Sequence, residues 1–215
     1  MCGIAGKIGG TVSNSAISEA LSALRHRGPD LDGVFFDNDI ALVHSRLSII
    51  DISENGRQPM IDPDTGVVLV YNGEIYNYRE LRSEFDAATF RSDSDTEVLL
   101  KLYIRDGIGC CKKLRGMFSF AIWDPRIRTL HLVRDRLGIK PLHVWHNRET
   151  LIFGSEIKPM LTLGAPRGLN MQTVYRYLTQ GRVADSDATF FSGVQTVKPG
   201  SVLSWCDGEL SEKVY

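Results

Sequence analysis

Cys2 is the residue from which chemistry can be argued first. It stands in Met1-Cys2-Gly3-Ile4-Ala5-Gly6. Removal of Met1 would put a thiol and a free α-amino group on one residue. A thiol attacks as the thiolate, and a side chain in mid-chain must borrow a base to reach that state. A first-position cysteine brings its own base: an α-amine with a pKa of about 7.7–8.0 is partly neutral at pH 7 and can take the thiol proton. The competing reading is a small, buried, unreactive thiol, the commoner fate of free cysteine. Which one holds depends on whether the rest of the chain supplies the other parts of a site.

Cleaving a carboxamide with a thiolate requires donors for the tetrahedral oxyanion, counter-charges for a charged substrate and a fixed approach to the nucleophile. Tyr71-Asn72-Gly73-Glu74-Ile75-Tyr76-Asn77 follows the apolar run Val67–Val70. The Asn72 amide and the sterically open Gly73 N–H could both face an oxyanion, although Asn-Gly is equally a common strand-ending turn. Arg46, in Ser45-Arg46-Leu47-Ser48-Ile49-Ile50-Asp51, wants a planar anion, either a substrate carboxylate or an aspartate of the chain itself. In Ser92-Asp93-Ser94-Asp95-Thr96-Glu97 the acids suit a helix start through the macrodipole, and one of them could bind an ammonium. The segments 25–30 and 134–142 read as charged, tightly turned loops whose His and Arg side chains find partners within the protein.

These groups need elements to hold them. Residues 2–8 read as a strand ending at Gly9-Gly10. Ile17, Ala20, Leu21 and Leu24 fall on one helical face, and Gly28-Pro29 stops that helix. Strands are expected at Ile40–His44, Leu47–Asp51 and Val67–Tyr71. The S-x-x-E spacing of Ser94 and Glu97 predicts a capping box and a helix from near Thr96. Further strands are expected at Met117–Trp123, Leu130–Arg134, His143–His146 and Leu151–Phe153, with helices at Ile157–Leu163 and Met171–Thr179. Val202–Cys206 and Glu209–Val214 flank Asp207-Gly208, a two-residue hairpin signal. Strand runs with helices grouped between them point to a layered α+β protein of one domain.

The bulk properties exclude several classes. The chain has 215 residues, 43% apolar and 24% charged, with a formal net charge of −1. Nothing there calls for nucleic acid or an anionic membrane as a partner. No apolar run approaches the roughly 18–20 residues of a membrane span, and the N-terminus lacks the pattern of a secretory signal. The four cysteines, Cys2, Cys110, Cys111 and Cys206, have no zinc-site spacing, and Cys110 and Cys111 read as structural thiols. Free thiols suit a reducing cytoplasm.

Taken in order, MCGIAG, RHRGPD (25–30), SRLSIID (45–51), YNGEIYN (71–77), SDSDTE (92–97), GMFSFAIWD (116–124), RDRLGIKPL (134–142) and GSEIK (154–158) resemble the class II glutamine amidotransferase domain of the asparagine synthetase family. The resemblance spans essentially the whole chain. It implies an N-terminal-nucleophile (Ntn) hydrolase fold, a four-layer αββα sandwich with two antiparallel sheets, and a glutaminase domain over residues 1–215 with the synthetase domain absent. It also implies roles. Cys2 matches the nucleophile; Asn72 and Gly73 match the oxyanion hole; Arg46 matches the holder of the substrate α-carboxylate and Asp95 that of the α-ammonium. Leu47, Ser48, Ile49, Ile50 and Glu74 fall in segments that line the glutamine pocket. The expected reaction is hydrolysis of L-glutamine to glutamate and ammonia through a cysteinyl thioester. The ammonia would pass to a synthetase domain or subunit that amidates aspartate or a related carboxylate. No metal site and no cofactor are expected in this chain, because ATP and Mg²⁺ belong to the synthetase half. A homodimer is left open. The rival from another class is a catalytically silent module that senses glutamine or scaffolds a synthetase, for which an intact nucleophile would serve no purpose.

Overall fold

The apolar alternation of the chain is spent on twelve strands, described in a computed structural model that covers every residue except 38, 50, 52 and 182–186. In chain order they are β1 (Gly3–Ile8), β2 (Leu31–Asp37), β3 (Ile40–Arg46), β4 (Met60–Ile61), β5 (Val68–Ile75), β6 (Gly116–Asp124), β7 (Thr129–Arg134), β8 (His143–His146), β9 (Leu151–Gly154), β10 (Gln195–Thr196), β11 (Ser201–Cys206) and β12 (Glu209–Val214). The helices are α1 (Asn14–Leu24), α2 (Tyr78–Arg82), α3 (Asp95–Asp106), α4 (Ile157–Thr162) and α5 (Met171–Gln180). One sheet runs β10-β8-β9-β1-β3-β2 and the other β12-β11-β7-β6-β5-β4. Every paired neighbour in both sheets is antiparallel.

Side chains alternate between the two faces of a strand, so each sheet buries both faces only if something covers each. Ile17, Ala20 and Leu24 of α1 pack with Met160 of α4 on Ala5, Ala41, Val43 and Ile152 of the first sheet. Leu99 and Leu102 of α3 pack on Leu69, Phe118 and Phe120 of the second. Between the sheets lie Ile4, Leu42, Val70, Leu132, Phe153 and Trp205. The result is the expected αββα order of layers. Cys110 and Cys111 are fully buried free thiols in the helix-side core of the second sheet.

Most of the elements read from the sequence are present, with four differences that bear on the site. The expected strand Leu47–Asp51 is not formed: beyond Arg46 the described residues leave the sheet as a loop. Asn72-Gly73 does not end its strand either, because β5 continues to Ile75 with Asn72 opposite Ser119 and Gly73 opposite Phe118. The edge strand β2 is an additional element, its alternation hidden by Asp32 and Gly33. Helix α3 starts at Asp95, where the Ser94 side chain accepts the Thr96 N–H as an N-cap. Glu97 does not return the bond to Ser94, as a capping box would require. Its carboxylate instead takes the N–H groups of Arg91 and Ser92 and the Ser92 hydroxyl, drawing the preceding loop onto the helix. The Asp207-Gly208 hairpin is present, with both residues at positive φ (46° and 84°), as a type I′ turn demands.

The inner faces change character at one end of the sandwich. On β3 the inward series Ile40, Leu42 continues with His44 and Arg46; on β5 Val68, Val70 continues with Asn72 and Glu74. Cys2 immediately precedes β1. The apolar interior thus opens into a polar cleft at the place where the two sheets part.

Candidate active site

Cys2 is half-buried, with its sulfur 3.4 Å from the Leu47 N–H and 3.7 Å from the Leu47 carbonyl. The loop that replaces the expected strand therefore brings a backbone donor to the sulfur. The Cys2 carbonyl accepts from Arg27 Nε at 3.0 Å, and Arg27 is itself fixed by Glu156 at 2.8 Å, which His26 also reaches at 2.9 Å. Gly28 lets this loop cross β3, since a Cβ there would run into the Ser45 carbonyl. Burial pushes the Cys2 thiol pKa up; the Leu47 N–H, the terminal ammonium and Arg46 pull it down, and Asp95 pushes it up. Burial prevails, so the thiol needs a base to ionise.

Arg46, at the end of β3, is 5% exposed. Its guanidinium donates to the carbonyls of Ser53 (3.0 Å) and Asp51, and it forms no ion pair among the described residues. Of the two readings open in the sequence, the direct aspartate ion pair is not made among the described residues. Against burial, hydrogen bonds from Ser53 and Asp93 hold the Asp51 carboxyl pKa down, and the charge of Arg46 helps. The Asp51 carboxylate serves its own loop, accepting from the N–H groups of Ser53 and Asp93 at 3.0 Å each. Gly56 packs flat on the guanidinium, where any Cβ would collide with it.

Asp95 is 3% exposed and also lacks a cationic partner among the described residues. Its Oδ2 accepts from the Tyr71 hydroxyl at 2.7 Å and the Ile75 N–H at 3.0 Å. Burial raises the Asp95 pKa, these bonds lower it, and the charge of Glu74 raises it again. A buried cation and a buried anion, neither of them in an ion pair among the described residues, are costly unless a ligand supplies close counter-charges.

Between them runs the free edge of β5. Phe118, opposite Gly73, turns both its N–H and its carbonyl to Asp135, at 3.2 and 2.8 Å. The Gly73 N–H therefore faces away from β6, on the side that β4 covers only at Val68 and Leu69. Along this side the Tyr71 N–H is met by Gln58 Oε1 at 2.6 Å and the Ile75 N–H by Asp95. The Gly73 N–H, between them, opens onto the cleft. The side-chain nitrogen of Asn72 is likewise a buried donor with no hydrogen-bond partner.

Cys2, Arg46, Leu47, Ile49, Asn72, Gly73, Glu74 and Asp95 all line one cleft of about 570 Å³, part of it open to solvent. Ser48 does not line it; its N–H is held by Asp30 at 2.8 Å. Ile50 lies outside the described residues. Among the further lining residues, none of them assigned to the site from the sequence, are Gln58, Gly56, Tyr71 and Lys140. Gln58 braces the cleft from Tyr71 to the Thr96 hydroxyl (3.3 Å), and nothing local in the sequence marks it. Lys140 belongs to the loop 134–142, most of whose charges do find internal partners as expected: Arg134 binds the carbonyls of Gly138, Lys140 and Val197. The Lys140 ammonium itself meets the Met1 sulfur at 3.2 Å. Among the described residues no cluster of His, Cys, Asp or Glu could hold a metal, and no helix is long and apolar enough to cross a membrane.

Comparison with known proteins places the chain. A family model described as a glutamine amidotransferase domain matches residues 1–215. The chain is 38% identical over 204 residues to a putative asparagine synthetase [glutamine-hydrolyzing] 2 of Methanocaldococcus jannaschii, covering 84% of this chain and 39% of the relative. It is 40% identical over 193 residues to asparagine synthetase [glutamine-hydrolyzing] 1 of Bacillus subtilis, covering 88% of this chain and 30% of the relative. The chain thus spans well under half the length of these curated relatives. Among solved structures, the glutamine phosphoribosylpyrophosphate amidotransferase of B. subtilis superposes with a TM-score of 0.74 over 99% of this chain and 49% of its own, at 20% identity, which establishes the shared fold. A match from end to end, on a sandwich of the same layers, makes the chain a member of the class II glutamine amidotransferases.

Proposed function

We propose that the cleft hydrolyses the side-chain amide of L-glutamine. The observation that carries this reading is that Arg46 and Asp95, buried in the cleft that holds the Cys2 thiol, form no ion pair among the described residues. A free α-amino acid is the ligand whose carboxylate and ammonium complement such a pair. Arg46 takes the α-carboxylate, as its planar fork suits, and Asp95 takes the α-ammonium. The carboxamide is then presented to Cys2. With Met1 removed, the Cys2 α-amine accepts the thiol proton and the thiolate adds to the amide carbon. The developing oxyanion is met by the Asn72 amide and the Gly73 N–H. Ammonia leaves after protonation, and water attacks the γ-glutamyl thioester to release glutamate.

The proposal extends to the ammonia. The names of the relatives join glutamine hydrolysis to asparagine synthesis, so the acceptor is aspartate or a related carboxylate. It would be activated with ATP and Mg²⁺ on a synthetase domain or subunit, in a reducing cytoplasm that keeps Cys2 a thiol.

The test is a glutaminase assay on purified protein whose intact mass shows Met1 removed. Cys2→Ala should abolish glutamate release with an unchanged circular dichroism spectrum. Glutamate release by the Cys2→Ala protein would overturn the assignment.

A further inference from the structure

Behind the cleft, three buried polar atoms have no hydrogen-bond partner: Asn72 Nδ2, Ser119 Oγ and His44 Nδ1. Each belongs to a side chain no more than 1% exposed. All three are tied to the same stretch of β5. Ser119 stands opposite Asn72 in the β5–β6 register, and directly opposed side chains start about 5 Å apart at Cβ. His44 reaches across from β3 of the other sheet, its Nε2 3.2 Å from the Tyr71 carbonyl, which belongs to the peptide leading into Asn72.

The chemistry of the three atoms is complementary. A carbonyl only accepts, so His44 Nε2 carries the hydrogen and Nδ1 is a bare acceptor. Burial and the charge of Arg46 push this imidazole down to about 3, which keeps it neutral and Nδ1 unprotonated at working pH. The Ser119 hydroxyl donates and accepts, and the Asn72 amide nitrogen donates twice. Buried polar groups with no protein partner are commonly met by internal water.

We propose that His44 and Ser119 are positioning residues for the oxyanion hole, linked to the Asn72 amide through an internal water that decides which end of that amide faces the cleft. This rests on the reading of Asn72 as an oxyanion donor. An amide can rotate by half a turn with little change of shape, and the wrong orientation would present oxygen to an oxyanion. An acceptor fixed on the far side holds one hydrogen of the amide nitrogen and leaves the other for the reaction.

Ser119→Ala is the mildest probe, since it removes one buried oxygen. In glutamine hydrolysis it should lower kcat about tenfold, the scale of a modest misplacement, with KM within about twofold. In an Asn72→Ala background it should cost nothing more, because its effect passes through that amide. An equal loss in both backgrounds would overturn the proposal. A second readout is independent of turnover: the side-chain amide resonance of Asn72, identified by its disappearance in Asn72→Ala. It should exchange slowly with solvent in the parent protein and faster, at a shifted position, in Ser119→Ala. An Asn72 amide indifferent to Ser119→Ala sinks the inference even if glutamine is hydrolysed. A sensitive one sustains the positioning role even if the substrate is another amide.

Discussion

Arg46 and Asp95 are buried charges that form no ion pair among the described residues, and substitutions there should separate binding from chemistry. Arg46→Ala removes a charge-assisted contact to the substrate carboxylate, worth about 1.5–3 kcal/mol. Its expected effect is a rise of about tenfold to a hundredfold in the KM for glutamine with kcat little changed, as for uniform binding. An unaltered KM would take Arg46 out of the substrate site. Asp95 should show a trade of stability against function. Burial raises its folded pKa above the unfolded value, so the native state binds the proton more tightly than the unfolded chain. Stability attributable to this group is therefore lost as pH rises through that window. Asp95→Asn keeps an acceptor for Tyr71 and Ile75 while removing the charge. It should melt higher than the parent at pH 7, and the gain should vanish below about pH 4, where the parent's Asp95 is protonated in both the folded and the unfolded state. Glutamine binding should weaken at the same time. A lower melting temperature at pH 7 would mean that the charge is satisfied by the protein after all.

Strand β5 is the element on which the site depends most directly, because one edge of it serves Gln58, the cleft and Asp95 in turn. Gly73→Ala would drive a Cβ into the Met117 carbonyl and Phe118, so the strand must shift off β6 and carry its N–H with it. The expected result is a kcat lowered by about a hundredfold, as for loss of an oxyanion donor. The rate of Cys2 alkylation by iodoacetamide should stay close to that of the parent; kcat at the parental level would exclude the Gly73 N–H from the hole. This strand also shows what a sequence can and cannot disclose. The apolar run from Val67 was legible, but Asn-Gly carries a turn preference that pairing with Ser119 and Phe118 overrides. The segment after Arg46 erred the other way: its apolar residues look like a strand, yet the Leu47 and Ser48 N–H groups are drawn to Cys2 and Asp30. Helix α3 was readable at its start because a cap is a local device. Gln58 was not readable, since it works through a backbone N–H thirteen residues away. Cys2, Asn72, Gly73, Arg46 and Asp95, which the fold brings to one cleft, could be singled out because their residue types suggest chemistry. The residues that hold them in place have ordinary types and become visible only in the folded chain.

On the scale of the whole molecule, the sheets hold three histidines kept neutral by burial, complete at His44 and only partial at His143. The pKa of His44 is pushed down to about 3, and those of His131 and His143 to about 4. The unfolded chain protonates near the ordinary value of about 6.5, so below it the unfolded state binds more protons than the native one. Stability present above about pH 6.5 is then lost as pH falls toward 4, by up to about 1.4 kcal/mol per pH unit for each histidine. Urea unfolding should show a clearly lower midpoint at pH 5 than at pH 7, and equal midpoints would contradict these burials. The architecture also distributes the site. Cys2 and Arg46 belong to the first sheet, whereas Asn72, Gly73 and Asp95 belong to the second and the helix packed on it. The reacting carbon would be gripped from both sides, and the gap between the sheets acts as a caliper. Its opening is set at a distance by the side chains that fill the interior, among them Leu42, Val70 and Phe153. Trimming a buried methyl costs about 0.5–1.5 kcal/mol of stability, yet a misplacement of about 1 Å at the jaws can cost a hundredfold in rate. Core substitutions far from Cys2 should therefore register in turnover before they register in folding.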